Sequence, residues 1–375
     1  MRIMFICGSA EPGRDGVGDY TRRLSQELTK SSIEVGIAAI NDGHINNIQQ
    51  YKWTVENGQI DILRLPASMD EDDSFILLKR KVDEFDPDWI SIQYVPFSFH
   101  SKGLPFSLAK RLSALAKGRK RQIMIHEIAV GMPIGSRLKE MLWGKVQKLL
   151  LSHLLKVLRP NVIHTHTTVY KKQLEKFGAD IRLLPLFSNI PVNYPDLVRE
   201  KLTSRTPLDN NIDLLVFASV QLGAPIKQFA AECALLYQNT GIKLRMVFLG
   251  RSGIAQVEWL NEWKATGLEI LEFGEQSENA VSKILATTKY GVFSTPLILA
   301  GKSGAVAAMR EHGVNLICVS GKWEARGIKV TENPFQITEY KKGNLEQFFK
   351  DKGQFTNLPT LSMVTKQFMF DLEIN

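Results

Sequence analysis

The first thirty residues set a short apolar run, 2–7, ahead of a loop with glycines at 8, 13, 16 and 18. An amphipathic stretch follows, in which Val17, Tyr20, Leu24 and Leu28 fall on one helical face. Strand, glycine loop and helix start together form a device for holding phosphate. Glycine lets backbone N–H groups approach an anion, and the helix dipole adds a favourable potential. Gly16 and Gly18 come late, directly before the helix, so the spacing is not the G-x-G-x-x-G of a dinucleotide fold. Within the loop, Asp15 and Asp19 can orient a hydroxyl or cap the helix, and Arg14 stands beside them. A second turn of the same chemistry is Lys302-Ser303-Gly304. A helix N-terminus with serine, glycine and lysine is an anion site on general grounds, and equally an ordinary helix capped by Ser303. It lacks the Gly-x4-Gly-Lys-Ser/Thr of a Walker loop.

Three other clusters carry less. His126, beside Glu127 at a strand end, can hydrogen-bond a ligand or move a proton, or be merely packed. His164-Thr-His166 has strand spacing that puts both rings on one face, but two histidines without a third ligand make a weak zinc site, so packed rings are expected. Asp70-Glu-Asp-Asp73 lacks the glycine and carboxylate spacing of a calcium loop and reads as a solvated helix start. No metal is expected.

The elements that must position these residues alternate. In the first half, strands are expected at 2–7, 34–40, 60–64, 88–93, 122–127, 161–165 and 181–186, with helices near 17–31, 74–85, 105–117, 135–158 and 167–177. A proline-bounded connector, Asn189-Ile-Pro-Val-Asn-Tyr-Pro195, leads into a polar helical stretch ending about Asn211. Strands then recur at 212–219, 243–249, 268–272, 290–294 and 314–319, with helices at 226–238, 255–265, 277–287 and 303–312. Such alternation predicts an α/β protein with two doubly wound parallel sheets, as 375 residues suit two cores rather than one. The expected domains are 1–192, 193–358 and a tail, 359–375, whose helix packs back on the first domain. Two such units facing each other leave a central cleft at the carboxyl ends of their strands.

Composition, 44% apolar and 23% charged, is that of an ordinary globular protein. Cys7, Cys233 and Cys318 lie far apart in apolar runs and read as buried thiols. No run of 18 apolar residues offers a membrane span, and the residues after Met1 lack a leader's apolar core, so a cytoplasmic protein is expected. The net charge of +8 is concentrated: residues 101–160 hold thirteen Lys/Arg against Glu127 and Glu140. On the helix near 135–158, Leu138, Leu142, Val146 and Leu149 form one stripe, and Lys117–Arg121 precedes it. The region reads either as a core-packed helix with a solvated basic face or as a surface that docks on anionic lipid at the inner face of a membrane. Nucleic acid is not expected, because no aromatic-interleaved basic motif occurs.

Taken in order, these features resemble the GT-B glycosyltransferases, and within them the GT4-like group. The loop Gly16-Val-Gly-Asp-Tyr-Thr-Arg-Arg-Leu is similar to that family's GGVGDYxxxLA loop, and His126 to its cleft histidine. Leu184-Pro-Leu-Phe-Ser-Asn-Ile-Pro191 is similar to its connector. Phe217-Ala-Ser-Val-Gln-Leu-Gly-Ala-Pro-Ile-Lys227 opens the second domain with a basic residue after the first strand. The resemblance implies metal-independent, retaining transfer of a hexosyl unit from a UDP- or GDP-sugar to a glycan or lipid-linked acceptor, as in polysaccharide biosynthesis, with no other cofactor. It implies Lys227 as the cation on the leaving diphosphate, with Arg251 as the alternative, and His126 and Asp19 on the sugar and acceptor. Gly274 and Gln276 would meet the base, and Gly16, Gly18, Lys302, Ser303 and Gly304 the donor. One departure stands out: anchoring on Gly313 puts Gly301 and Ala308 where the family carries its paired glutamates. Alternatives are therefore a non-catalytic GT-B-like binding subunit and a sugar-nucleotide epimerase.

Overall fold

The computed structural model describes residues 1–203, 211–251, 253–330, 333, 335–351, 353, 355 and 358–374. The chain divides into two compact units. The first is Met1–Pro185 with Glu324–Lys329 and Leu361–Asn375; the second is Leu186–Trp323 with Val330–Thr360.

The first unit runs β1 Arg2–Cys7, α1 Gly16–Thr29, β2 Glu34–Asp42, β3 Gln49–Val55, β4 Gly58–Pro66, α2 Glu71–Phe85, β5 Trp89–Tyr94, α3 Pro96–Phe99, α4 Leu108–Leu115, β6 Lys120–Ile125, α5 Leu138–Leu158, β7 Val162–Thr165, α6 Thr168–Glu175 and β8 Arg182–Leu183. Its sheet has the order β3-β4-β2-β1-β5-β6-β7-β8. All pairs are parallel except the β3–β4 hairpin. Central strands β1 and β5 are buried on both faces, as a parallel sheet covered by helices requires. The sequence reading missed β3, because this edge strand shows mostly exposed residues and no apolar alternation. The strand expected over 181–186 shrinks to β8, since Pro185 has no N–H for a ladder and Leu186 and Phe187 belong to the second unit. Asp70 caps α2 by accepting from the Asp72 N–H, and the acidic run fills its first turn.

The second unit runs α7 Pro195–Thr203, β9 Asn211–Phe217, α8 Ile226–Thr240, β10 Lys243–Leu249, α9 Gln256–Lys264, β11 Glu269–Gly274, α10 Glu278–Thr287, β12 Tyr290–Phe293, a 3-10 segment Leu297–Lys302, α11 Gly304–Glu311, β13 Asn315–Cys318, β14 Thr338–Glu339 and α12 Leu345–Lys350. The parallel order is β11-β10-β9-β12-β13-β14. The helix expected to reach Asn211 covers α7; residues 204–210 lie outside the described residues. The unit begins at Leu186 rather than 193 because the connector bonds into it. Ser188 N–H donates to Glu311 Oε1 at 2.7 Å, and Ser282 Oγ donates to the Pro191 carbonyl at 2.8 Å. Trp259, Trp263, Phe229, Phe248 and Phe348 fill one side of its core. The Lys201 ammonium donates to the carbonyls of Leu285, Thr288 and His312 at 2.9, 2.7 and 2.7 Å, tying α7 to the end of α10.

The last helix, α13 Leu361–Glu373, belongs to the first unit. It buries Val364, Phe368 and Leu372, with Phe368 stacked on Phe5 of β1 at 6.1 Å. All three cysteines are buried and free.

Candidate functional site

The residues singled out in the first unit follow the carboxyl ends of strands, which puts them on one edge of its sheet. The loop after β1 is anchored from below by a buried pair that the sequence did not flag. Asp42, at the end of β2, accepts from Ser9 Oγ at 3.0 Å, from the Ala10 N–H at 3.2 Å and from Arg64 Nε at 2.8 Å. Arg64, on β4, also donates to Gln49 at 3.0 Å and pairs with Glu11. The Asp42 carboxyl sits below its ordinary value: burial raises it, but Arg64 and two N–H donors more than offset that.

Asp15 caps α1, accepting from the Gly18 N–H at 2.6 Å, so the protein's own carboxylate occupies this helix N-terminus. Burial raises the Asp15 carboxyl despite those N–H bonds. Asp19 reaches back to the Gly13 N–H at 2.9 Å, closing the loop. Gly18 is required by packing, since a Cβ there would stand 2.6 Å from the Ser9 carbonyl, whereas Gly16 has open space. The loop is therefore a tightly self-bonded structure, not an open phosphate cradle.

His126 directly follows β6, and His166 follows β7; both are buried. His126 Nε2 bonds Gln93 Oε1 and its Nδ1 bonds His166 Nε2, each at 3.0 Å. The remaining nitrogen of His166 meets the Leu184 carbonyl at 2.9 Å. Tyr20 lies edge-on to both rings, at 5.1 and 5.6 Å. His164 faces elsewhere, to Gln122 at 3.1 Å and Asp371 of α13 at 3.0 Å. The two histidines of the His-Thr-His run thus serve different partners. Among the described residues no group of His, Cys, Asp and Glu is arranged to hold a metal ion.

In the second unit the candidates again follow strand ends on one sheet edge: Gly274–Gln276 after β11, Arg251 after β10, Lys227 after β9 and Lys302–Gly304 after β12. Lys227 is exposed in the first turn of α8, whose N-cap, Pro225, makes no side-chain capping bond. Arg251 is paired, Nε to Glu275 Oε1 at 2.6 Å. Gly274 adopts φ +61°, and its carbonyl accepts from the Gly250 N–H at 2.8 Å. Gln276 turns its amide back to the Phe273 carbonyl at 2.7 Å. Ser303 caps α11 by accepting from the Val306 N–H at 3.4 Å. Ala308 is buried, and Met309, the next residue along α11, carries no carboxylate either. A hollow of about 380 Å³ in this unit is lined by Asn211, Lys243 and Glu269 at the amino ends of β9–β11, the opposite edge of the sheet.

Helix α5 corrects the core-packed reading of its leucine stripe. Leu138, Leu142 and Leu149 are 68%, 53% and 69% exposed. The face turned inward is Gly144, Gln147, Leu151, Leu154, Leu155 and Leu158. Leucines occur on both faces, so periodicity alone did not choose. Gly144 chose, because any Cβ there would collide with the Val130 carbonyl. Gln147 adds buried bonds to the Val130 N–H at 2.8 Å and the Gly103 carbonyl at 3.1 Å. No helix among the described residues is long and apolar enough to cross a membrane.

The sequence matches no protein-family profile and no curated protein. The fold does have solved counterparts. It is similar to an α,α-trehalose-phosphate synthase (UDP-forming) from Burkholderia xenovorans solved with glucose-6-phosphate, at TM-score 0.62, 9% identity and 99% coverage of both chains. Anabaena HepE in complex with UDP-glucose matches at TM-score 0.60 and 12% identity over 100% of both chains. A UDP-GlcNAc 2-epimerase from Neisseria meningitidis bound to UDP-GlcNAc matches at 0.56 and 10%, again over 100% of both chains. The chain has the GT-B fold, built of two Rossmann-like parallel-sheet units.

Proposed function

We propose that the protein is a glycosyltransferase of GT4-like type. It moves a hexosyl unit, with retention, from a UDP- or GDP-sugar to a glycan or lipid-linked acceptor at the cytoplasmic side of a membrane. The observation that carries this reading is the gathering of Lys227, Arg251, Gly274–Gln276 and Lys302–Gly304 on one edge of the second sheet, in a fold whose solved counterparts include proteins bound to UDP-sugars. When the bond from the sugar to the diphosphate breaks, negative charge grows on the diphosphate and the sugar gains oxocarbenium character. Fixed positive charge and N–H donors then stabilise the leaving group. Lys227 offers an ammonium beside the first N–H groups of α8, where the helix dipole works in the same direction. No step calls for a metal. His126 supports the sugar and Asp19 the acceptor, the latter by exchanging its bond to the Gly13 N–H for one to a hydroxyl.

Thermal shift against a panel of nucleotides and nucleotide sugars, followed by turnover with the stabilising donor, tests the reading. Lys227→Ala should lower kcat/KM about 10²–10³-fold with an unchanged melting temperature, since the side chain is exposed. No stabilisation by any nucleotide, together with full activity of Lys227→Ala, would sink it. Gly301 and Ala308, where glutamates are expected, favour the binding-subunit reading instead; nucleotide binding without turnover would establish that. A donor sugar altered without any acceptor would establish an epimerase.

The acceptor side of this proposal includes a lipid surface. The outer face of α5 presents Leu138, Leu142 and Leu149 with Lys139, Lys145 and Lys156 exposed around them. Apolar side chains flanked by cations suit an anionic bilayer, and the same lysines oppose pairing with a second copy of the helix. Leu142→Glu with Leu149→Glu should abolish co-sedimentation with vesicles containing phosphatidylglycerol and leave stability within about 0.5 kcal/mol. Binding that survives both charges rules this surface out.

A further inference from the structure

The buried polar groups of the first unit form one unbroken line. It runs from the Leu184 carbonyl through His166, His126, Gln93, Ser91, Gln122 and His164 to the Asp371 carboxylate on α13. The successive distances are 2.9, 3.0, 3.0, 2.9, 2.5, 3.1 and 3.0 Å. All eight residues are buried. Both ends only accept. Each of the six groups between them, if neutral, can donate toward one of its two neighbours and must accept from the other. Seven bonds therefore have six hydrogens. One contact in the line would set lone pair against lone pair, and in a buried site that costs the full desolvation of a polar group.

With the amides as they stand, Gln122 donates to His164 Nδ1, His164 donates to Asp371, and Ser91 accepts from Gln93. The shortfall then falls on the His126–His166 pair, which needs a donor toward Gln93, one toward Leu184 and one between the rings. Turning both amides over and reversing the Ser91 hydroxyl satisfies that pair as neutral rings. The shortfall moves to His164, which must then donate from both nitrogens, to Gln122 and to Asp371. No arrangement of the amides removes it.

We propose that this line is a binding site for a single proton. It carries one hydrogen more than its neutral groups possess, seated at the His126–His166 end or at the His164–Asp371 end according to how Gln93 and Gln122 are turned. Changing ends releases the proton from one ring and takes one up at the other, so the charge is conserved. Tyr20 of α1 lies edge-on to the first pair. Arg182 of β8 donates to the other oxygen of Asp371 at 3.0 Å, and Asp371 Oδ2 also accepts from the Gln367 amide of α13 at 3.1 Å. The line thereby couples the charge on His126, at the sheet edge, to the anchoring of the last helix. An anion brought near His126 draws the proton to that end and leaves His164 neutral beside Asp371.

Ring ¹⁵N–¹H NMR of the full chain labelled in histidine tests the count, at pH 8, where an ordinary histidine with pKa about 6.5 is neutral. One imidazolium per molecule, protonated on both nitrogens, is expected among His126, His164 and His166. Asp371→Asn supplies an amide donor to His164 Nε2 and closes the seventh bond, so that signal should vanish while the fold persists. Three neutral rings in the native protein overturn the proposal, and so does an imidazolium that survives in Asp371→Asn. If Asp371→Asn does not fold, the native spectrum decides alone: one imidazolium supports the line and three neutral rings overturn it.

Discussion

Asp15 and Asp19 lie one helical turn apart, and each closes a different gap. Asp15 satisfies the Gly18 N–H at the start of α1; replacing it with Ala should cost about 1 kcal/mol in urea denaturation, with no change in the sheet. Asp19 holds the Gly13 N–H, the bond that the proposed acceptor contact would exchange. The histidines make the residue scale sensitive to pH. Burial pushes the His164 imidazole below its ordinary value, Asp371 pulls it up and Arg182 down again. With Gln122 donating to its Nδ1, the folded ring stays neutral where the unfolded ring takes a proton near pH 6.5, so unfolding consumes protons there and stability falls as the pH drops below about 6.5. Asp371 adds a second loss at lower pH. Burial raises its carboxyl, but His164 and Gln367 hold it below the ordinary value, so its contribution is present above about pH 3.9 and disappears as the pH falls through the folded value. Urea midpoints measured from pH 7 to pH 4 should decline throughout; a flat profile would contradict the burial of His164. The sequence put His126 and His166 at strand ends, because a strand's end is legible from its apolar run. That they bond one another was not legible, since 40 residues and a strand pairing separate them.

At the scale of elements, two glycines two residues apart separate packing from function. Gly18→Ala forces α1 off the Ser9 carbonyl and should cost about 1–3 kcal/mol, while Gly16→Ala has open space and should leave the melting temperature unchanged. Loss of donor binding in Gly16→Ala without loss of stability would assign the loop to the ligand; unchanged binding would assign it to packing alone. In the second unit, Lys201 is pulled to about 7 by burial, yet three carbonyls, two from the end of α10, favour its charged form. Lys201→Met strands those acceptors and should cost about 2–3 kcal/mol in denaturant unfolding. The alternation of strands and helices was legible almost throughout, because buried parallel strands are continuous apolar runs. Exceptions have physical causes: β3 is a polar edge strand, and α5 has leucines on both faces, so its inner side waited on Gly144 and Gln147.

For the molecule as a whole, charge is the property that reaches beyond any element. Thirteen cations against two carboxylates in residues 101–160 make a local field that the rest of the chain does not share. If that field brings α5 to anionic vesicles, binding should weaken steeply as salt rises toward about 1 M, where the Debye length is ~3 Å, and only a residue due to the leucines should remain. Salt-independent binding would point to the leucines alone. The sequence by itself determined the two α/β units, the order of their strands along the chain, the late-glycine loop and the basic region, because each is written in local periodicity and composition. The tertiary structure alone decided the rest: which face of α5 meets solvent, that Asp15 fills the helix end first read as a phosphate cradle, that Arg251 is already paired, and that the last helix, expected on the first unit, bonds His164 there through Asp371. Those outcomes depend on residues far apart in the chain meeting in space, and no local pattern in a single sequence encodes a partner 207 residues away.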